Sequence, residues 1–238
     1  MPVLPQPRQP AVAAIGEALE ALGLALRRGF HPEPRDGVPA LPDGRPTATL
    51  LLAGTIGSRW WDAFAAAPEA ADGLPDPLDR WTRRLLEALA EAHGAAALYP
   101  FGGPPHLPFQ RWARRAEPVS PSPLGMLIHP ELGLWHAYRG ALAFAERLAL
   151  APVEPVASPC DSCPERPCLT ACPVGAFTAS CYDVAACVAH LDSGRGGACL
   201  TGGCQARLAC PVGVEHRYAP AAAAFHMAAF HRAQRRGA

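Results

Sequence analysis

All nine cysteines of this 238-residue chain lie between Cys160 and Cys210, and none occurs in the first 159 residues. So many thiols in so short a stretch limit what that part of the chain can become. A disulfide framework goes with a short exported chain and an even count of cysteines. Here the count is odd. The start, Met1-Pro-Val-Leu-Pro-Gln-Pro-Arg8, has no basic stretch followed by an apolar run, so no export signal is expected. In a reducing compartment clustered thiols are metal ligands sooner than bridges. The expectation is a cytoplasmic metal-binding protein.

The spacing narrows the metal. Cys160-Asp-Ser-Cys163-Pro-Glu-Arg-Pro-Cys168-Leu-Thr-Ala-Cys172-Pro173 resembles the bacterial ferredoxin run, in which C-x2-C-x2-C-x3-C-P supplies ligands to 4Fe–4S clusters. The middle gap is four residues here instead of two, which calls for a small bulge. Cys172-Pro-Val-Gly175 returns as Cys210-Pro-Val-Gly213, a repeat that fits the paired halves of two-cluster ferredoxins. By that resemblance Cys160, Cys163, Cys168 and Cys210 hold one cluster, and Cys172, Cys187, Cys199 and Cys204 hold the other. Cys181 is left over, and it stands as the alternative to Cys187, since spacing alone separates the two. Zinc is the competing metal, but a zinc ribbon needs two C-x2-C pairs and four ligands. This run has one such pair and seven further cysteines. A single cluster with a degenerate second half is the other competing arrangement.

Ahead of the cysteines the hydrophobic pattern mixes helix and strand. Val12, Ile15, Leu19, Leu22 and Leu26 predict one amphipathic helix over 11–29. Thr47–Ala53 and Ala95–Tyr99 read as buried strands. Asp76-Pro77 reads as a helix start, with Asp76 as N-cap, and that helix stops at Gly94. Leu124–Ile128 and Leu134–Leu142 read as strands joined at His129-Pro-Glu-Leu-Gly133, followed by helix, with His129 as a turn hydrogen-bonder and Arg139 as an ion-paired strand residue. Pro152, Pro155 and Pro159 mark a linker. A helix over 219–236 closes the chain. The expected fold class is α/β (α+β), with a domain over 1–150 and a smaller iron–sulfur domain over 151–238. Lys plus Arg equal Asp plus Glu at 21 each, so no nucleic-acid partner is expected. No apolar run is long enough for a membrane span.

The order of segments carries a further resemblance. Ile128-His-Pro-Glu-Leu-Gly-Leu-Trp135, then a two-cluster cysteine run, is similar to the epoxyqueuosine reductase family and to the plan of reductive dehalogenases. Ala48–Thr55, Asp76-Pro-Leu-Asp79 and Ile128 to Gly140 look closer to the cobalamin-processing family of the methylmalonic aciduria and homocystinuria type C kind. The resemblance implies a nitroreductase-like front domain that binds a corrinoid, followed by a ferredoxin-like domain. It makes Trp135 and Tyr138 candidate corrinoid walls and Arg139 a candidate polar anchor. Tyr99-Pro-Phe-Gly-Gly-Pro-Pro-His106 matches the queuosine-type stretch only loosely, with proline where an acid would stand, which argues against queuosine chemistry.

The expected function is therefore a redox protein whose clusters relay electrons from an external donor to a cofactor, with small-molecule corrinoid (cobalamin) leading. The alternatives are a flavin reductase holding FMN, with Gly54-Thr-Ile-Gly57-Ser58 as a phosphate cradle or a plain turn, and a non-enzymatic electron carrier.

Overall fold

A computed structural model describes residues 12–236. Residues 1–11 and 237–238 lie outside the described part, and with them the chain start and the first residue of the helix expected from position 11. The described chain has mixed helix and sheet and divides into two compact units. One comprises residues up to 55 with 59–117 and 137–153; the other comprises 56–58, 118–136 and 154 onward. The fold class is α/β (α+β). No helix among the described residues is long and apolar enough to cross a membrane.

The first unit is built on a four-stranded sheet. Helix α1 (Val12–Ala21) leads into β1 (Ala25–Phe30), followed by β2 (Thr49–Ile56), α2 (Trp61–Ala65), α3 (Pro68–Ala71), α4 (Pro77–His93), β3 (Ala96–Leu98) and α5 (Phe109–Ala116). The short strands β4 (Ser120–Pro121) and β5 (Leu127–Ile128) pair with each other in the second unit, and β6 (His136–Phe144) returns to the sheet. The sheet order is β1-β2-β6-β3, antiparallel at both outer pairings.

One helix was expected across 11–29, and the structure ends it after Ala21. Gly23 takes a left-handed φ of +79°, which reverses the chain cheaply only without a Cβ. Leu26 therefore stands on β1, where a bulge at Arg28 (φ +57°) leaves Arg28 exposed and Arg27 inside. Likewise no helix directly follows β6; the next helical turn is the 3-10 turn at Pro167–Leu169. Asp76 does precede Pro77 and α4, but in left-handed backbone and without a side-chain cap; its carbonyl takes the first-turn amides of Asp79 and Arg80.

The core of this unit is Leu50, Leu51 and Leu52 of β2, with Trp81 and Leu86 of α4, Trp112 of α5 and Leu142 to Phe144 of β6, all nearly or fully buried. Phe64 meets Trp81 edge-on, with ring centres 5.7 Å apart. Arg27, a buried cation, is held by Glu117 through Nε at 3.0 Å and Nη2 at 2.7 Å. Tyr138 completes this network, its hydroxyl donating to Glu117 Oε2 at 2.6 Å.

In the second unit α6 (Val184–Asp192), α7 (Gly197–Gly202), α8 (Gln205–Leu208) and α9 (Pro220–Arg236) surround the cysteines. Helices α6 and α7 pack on α9, and α8 packs on a 3-10 turn at Pro167–Leu169. Leu124, Ile128, Leu134, Phe177, Ala206 and Cys210 form its core.

Candidate iron–sulfur site

The cysteine stretch contains little regular structure, so its thiols are placed by turns and by short helices with defined starts. The 3-10 turn at Pro167–Leu169 carries Cys168. Cys172 and Cys210 each open a Cys-Pro-Val-Gly turn whose glycine is left-handed, Gly175 at φ +59° and Gly213 at φ +66°. The repeat seen in the sequence is therefore a repeat of backbone conformation. Cys187 lies on the first turn of α6, where Asp183 caps the helix by accepting the Ala186 amide at 2.9 Å, and the Cys187 amide donates to the Asp183 carbonyl. Cys204 sits immediately before α8.

The structure brings Cys160, Cys163, Cys168 and Cys210 together around one cavity. Its other walls are mainly apolar: Pro123, Ile128, Pro159, Pro167 and Val212. Burial pushes the Cys160 thiol up, and the neighbouring Cys210 and Cys163 add to the effect. Cys168 is raised by burial and then by Cys210, Cys160 and Cys163. Burial also raises Cys210, against the Val212 amide that faces its sulfur, with Cys163 contributing again.

The second set has the same character with different members. Burial raises Cys199, opposed by the Gln205 amide, and the neighbouring thiols of Cys172 and Cys187 add to the rise. Burial raises Cys204, opposed by the amides of Arg207 and Ala206, and its neighbours are Cys187 and Cys172. The Ala176 amide donates to Cys172 Sγ at 3.4 Å. Thus Cys172, Cys187, Cys199 and Cys204 feel one another, while Cys160, Cys163, Cys168 and Cys210 do the same. Cys181 is exposed, in a turn where its amide donates to Thr178 Oγ1 at 3.0 Å.

Among the described residues no three of His, Cys, Asp or Glu converge as they would around a single ion. A tetrahedral zinc with its sulfurs at about 2.3 Å draws its ligands close together; a cubane binds each thiolate through a different iron and asks for a wider arrangement. The donor sets present, four soft thiols at an apolar-walled site, fit a 4Fe–4S cluster in ligand type and number.

The His129–Gly133 turn proves to belong to this site. The Glu131 and Leu132 amides donate to His129 Nδ1 at 3.1 and 3.2 Å, as expected of a turn histidine. A Cβ built on Gly133 would stand 2.0 Å from the Val212 carbonyl oxygen, and one on Gly213 would stand 2.4 Å from the Leu132 carbonyl carbon. The two turns are therefore in backbone contact, and the one containing Gly133 buttresses the loop that carries Cys210. Sequence reading missed this role; its signal was a glycine at the end of each motif.

The three residues proposed from resemblance for a corrinoid have other partners. Tyr138 is held by Glu117, and Arg139 pairs with Asp79 and donates through Nε to Thr82 Oγ1 at 3.3 Å. Both lie in the sheet unit, whereas Trp135 belongs to the cysteine unit. There the Arg207 guanidinium lies over both Trp135 and Tyr218, 4.6 and 4.4 Å from their ring centres, and the two rings meet edge to face. The anchoring charge given to Arg139 is already met by Asp79. A cavity of about 550 Å³ in the sheet unit is lined by others, among them Arg83, Glu87, Leu98, Tyr99 and Leu107. Gly54-Thr-Ile-Gly57 is strand followed by turn: Gly54 lets the Ala137 carbonyl approach, and the Gly57 amide is spent on the Trp135 carbonyl at 2.7 Å.

No family model matches the chain, and no curated protein matches it. Solved structures similar to it include two of epoxyqueuosine reductase. One is a selenomethionine-labelled epoxyqueuosine reductase, at TM-score 0.41 and 19% identity, covering 76% of this chain and 52% of that one. The other is an epoxyqueuosine reductase with a tRNA-Tyr epoxyqueuosine-modified tRNA stem loop, at TM-score 0.44 and 17% identity, covering 89% of this chain and 69% of that one. The chain spans about half the length of the first. At this distance the functional reading stands on the thiols themselves.

Proposed function

We propose that the chain is an iron–sulfur redox protein with two 4Fe–4S clusters, one on Cys160, Cys163, Cys168 and Cys210, the other on Cys172, Cys187, Cys199 and Cys204. The observation supporting this is the grouping of eight thiols into two sets, in which the fourth cysteine of each run stands with the other run's three. Bound clusters supply one-electron chemistry at potentials set by hydrogen bonds and solvent exposure. The chain's own part is to present the thiols, to keep water off them with proline, isoleucine and valine, and to aim amides at their sulfurs. Because burial holds five of these thiols in the protonated form, loading releases protons and strengthens as pH rises.

The finer reading divides the chain into a nitroreductase-like front domain and a ferredoxin-like rear domain, with electrons passing from an external donor to a corrinoid. It rests on the order of sequence segments, and no side-chain arrangement among the described residues favours corrinoid over flavin. The test is anaerobic purification with metal, sulfide and visible-spectral analysis. Two cubanes per chain would give about eight iron and eight sulfide. Stoichiometric zinc, or half that iron, would refute the two-cluster reading. Cobalamin or flavin absorbance in the same sample, or a shift in added cyanocobalamin, decides the acceptor, and iron–sulfur absorbance alone leaves an electron carrier. One similar structure was solved with a tRNA stem loop. Titration with such a stem loop checks the expectation, from the balanced charge, that this chain takes no nucleic acid.

A further inference from the structure

Among the described residues the outer strands of the four-stranded sheet are β1 and β3, and the two edges are finished differently. At β1 the chain bulges at Arg28, which is exposed at φ +57°. A bulge and a charged side chain are among the usual means of keeping a further strand off an edge. At the other edge β3 has neither. Ala96, Ala97 and Leu98 carry no charge, no proline stands among them, and their register to β6 is regular. In an antiparallel ladder alternate residues turn both N–H and C=O toward the partner strand, so the residues between them turn both groups outward. The β3 edge is therefore open to pairing.

The cavity of about 550 Å³ runs along this edge, since all of β3 lines it together with Ala95 and Tyr99. One wall is α4, which contributes Arg83, Glu87, Ala90 and Glu91. Helix and strand run in opposite directions. The Ala95 amide donates to the Ala90 carbonyl at 2.8 Å, while the Arg83 guanidinium lies 4.4 Å from the Tyr99 ring centre. Glu91 therefore marks the Ala95 end of the groove, and Arg83 marks the Tyr99 end. These charges are less engaged than others on α4. Arg80 is paired with Asp72 and Arg84 with Glu69, both at hydrogen-bond distance. Arg83 stands 3.7 Å from Glu87, both about half exposed, and Glu91 makes no ion pair among the described residues. A groove with an acid at one end and a base at the other is complementary to itself when turned end for end, as a two-fold interface requires.

We propose that the β3 edge is where a second copy of the chain docks, the two β3 strands pairing antiparallel about a two-fold axis at Ala97. That pairing sets Ala95 opposite the partner's Tyr99, and so brings Glu91 to the partner's Arg83 at both ends. The short alanine side chains let the strands approach to the usual spacing of about 4.8 Å. A three-residue ladder adds little alone, so the end pairs carry the selectivity. Glu87 falls nearest the axis, where its own Arg83 offsets the like charge it meets. Every residue involved belongs to the sheet unit, so the proposal holds or fails apart from the iron–sulfur reading.

The test is light scattering with size-exclusion chromatography on the full chain over a concentration series. Wild type is expected to pass from monomer to dimer as concentration rises, and hydrogen exchange at the outward β3 amides to slow with it. Arg83→Glu and Glu91→Arg are each expected to weaken the dimer by roughly tenfold or more, because every end pair becomes one of like charge. Both side chains are exposed, so circular dichroism should show both variants folded. Mixed in equal amounts, the two variants are expected to dimerise with each other, since every end pair is then of opposite sign. A wild-type chain that stays monomeric up to millimolar concentration overturns the proposal. So does a dimer that both single variants leave intact, or a mixture of the two that fails to recover it.

Discussion

Glu117 is the residue whose loss has the plainest physical consequence in the sheet unit. Its carboxylate is the bidentate partner of Arg27, which is 1% exposed, and it also receives the Tyr138 hydroxyl. Removing one member of a buried pair strands the other charge without water, at a cost of about 3–5 kcal/mol. Glu117→Ala should therefore lose that much stability in denaturant unfolding, and Glu117→Gln less, because it keeps an acceptor. Among the thiols, Cys181→Ser should leave the iron content unchanged, since Cys181 is exposed and belongs to neither set. Cys187→Ser should lower the iron content. The reverse outcome would make Cys181 the ligand. Spacing could not separate these two cysteines, whose surroundings differ only once the chain is folded. Asp183 starts a helix that carries Cys187 inward, whereas Cys181 stays in an exposed turn.

The pieces that packed as the sequence led one to expect are those whose signals are local. The helix opened by Pro77 and ended by a left-handed Gly94, the strand through Leu50 to Leu52 and the closing helix from Pro220 are all written in neighbouring residues. The single helix expected over 11–29 failed because its apolar spacing continues past Gly23, and only pairing with β2 decides that Leu26 belongs to a strand. Helices α3 and α4 permit a pH test. The Arg84 side chain donates to Glu69 and holds its carboxyl below the ordinary value of 4.5, while burial acts against it. A depressed carboxylate adds stability above that value and loses it as pH falls. Arg84 is half exposed, so the effect is at most about 1 kcal/mol. Thermal unfolding of wild type should therefore drop below pH 4.5 slightly more steeply than that of Arg84→Met. The two Cys-Pro-Val-Gly turns give a sharper contrast. A Cβ on Gly175 meets nothing within 4 Å, whereas one on Gly213 collides with Leu132. Gly175→Ala should incur only the strain of its positive φ, about 1 kcal/mol. Gly213→Ala and Gly133→Ala should cost more and should lower iron content through Cys210.

At the scale of the whole molecule, the cysteine unit is drawn from three separate stretches of chain, 56–58, 118–136 and the residues from 154 onward. A fragment starting in the proline-rich stretch contains every thiol but not the His129–Gly133 turn. It should take up less iron on anaerobic reconstitution than the full chain, and its deficit should centre on the set containing Cys210. Equal loading of the fragment would show that the turn is dispensable. The grouping of the thiols could be anticipated because thiols advertise themselves by type and spacing. The buttress could not, because a glycine that lets two backbones touch leaves no side chain to read.

That contact bears on how such a chain can change over generations. Recombination at the prolines ahead of Cys160 would pass on all nine cysteines as one heritable block while leaving behind the glycine that props the last of them. A recipient would inherit the recognisable signature with its final thiol unsupported. Lineages that keep the cysteine stretch and the His-Pro-Glu-Leu-Gly segment together, though they lie far apart in the gene, are the ones in which this architecture can persist.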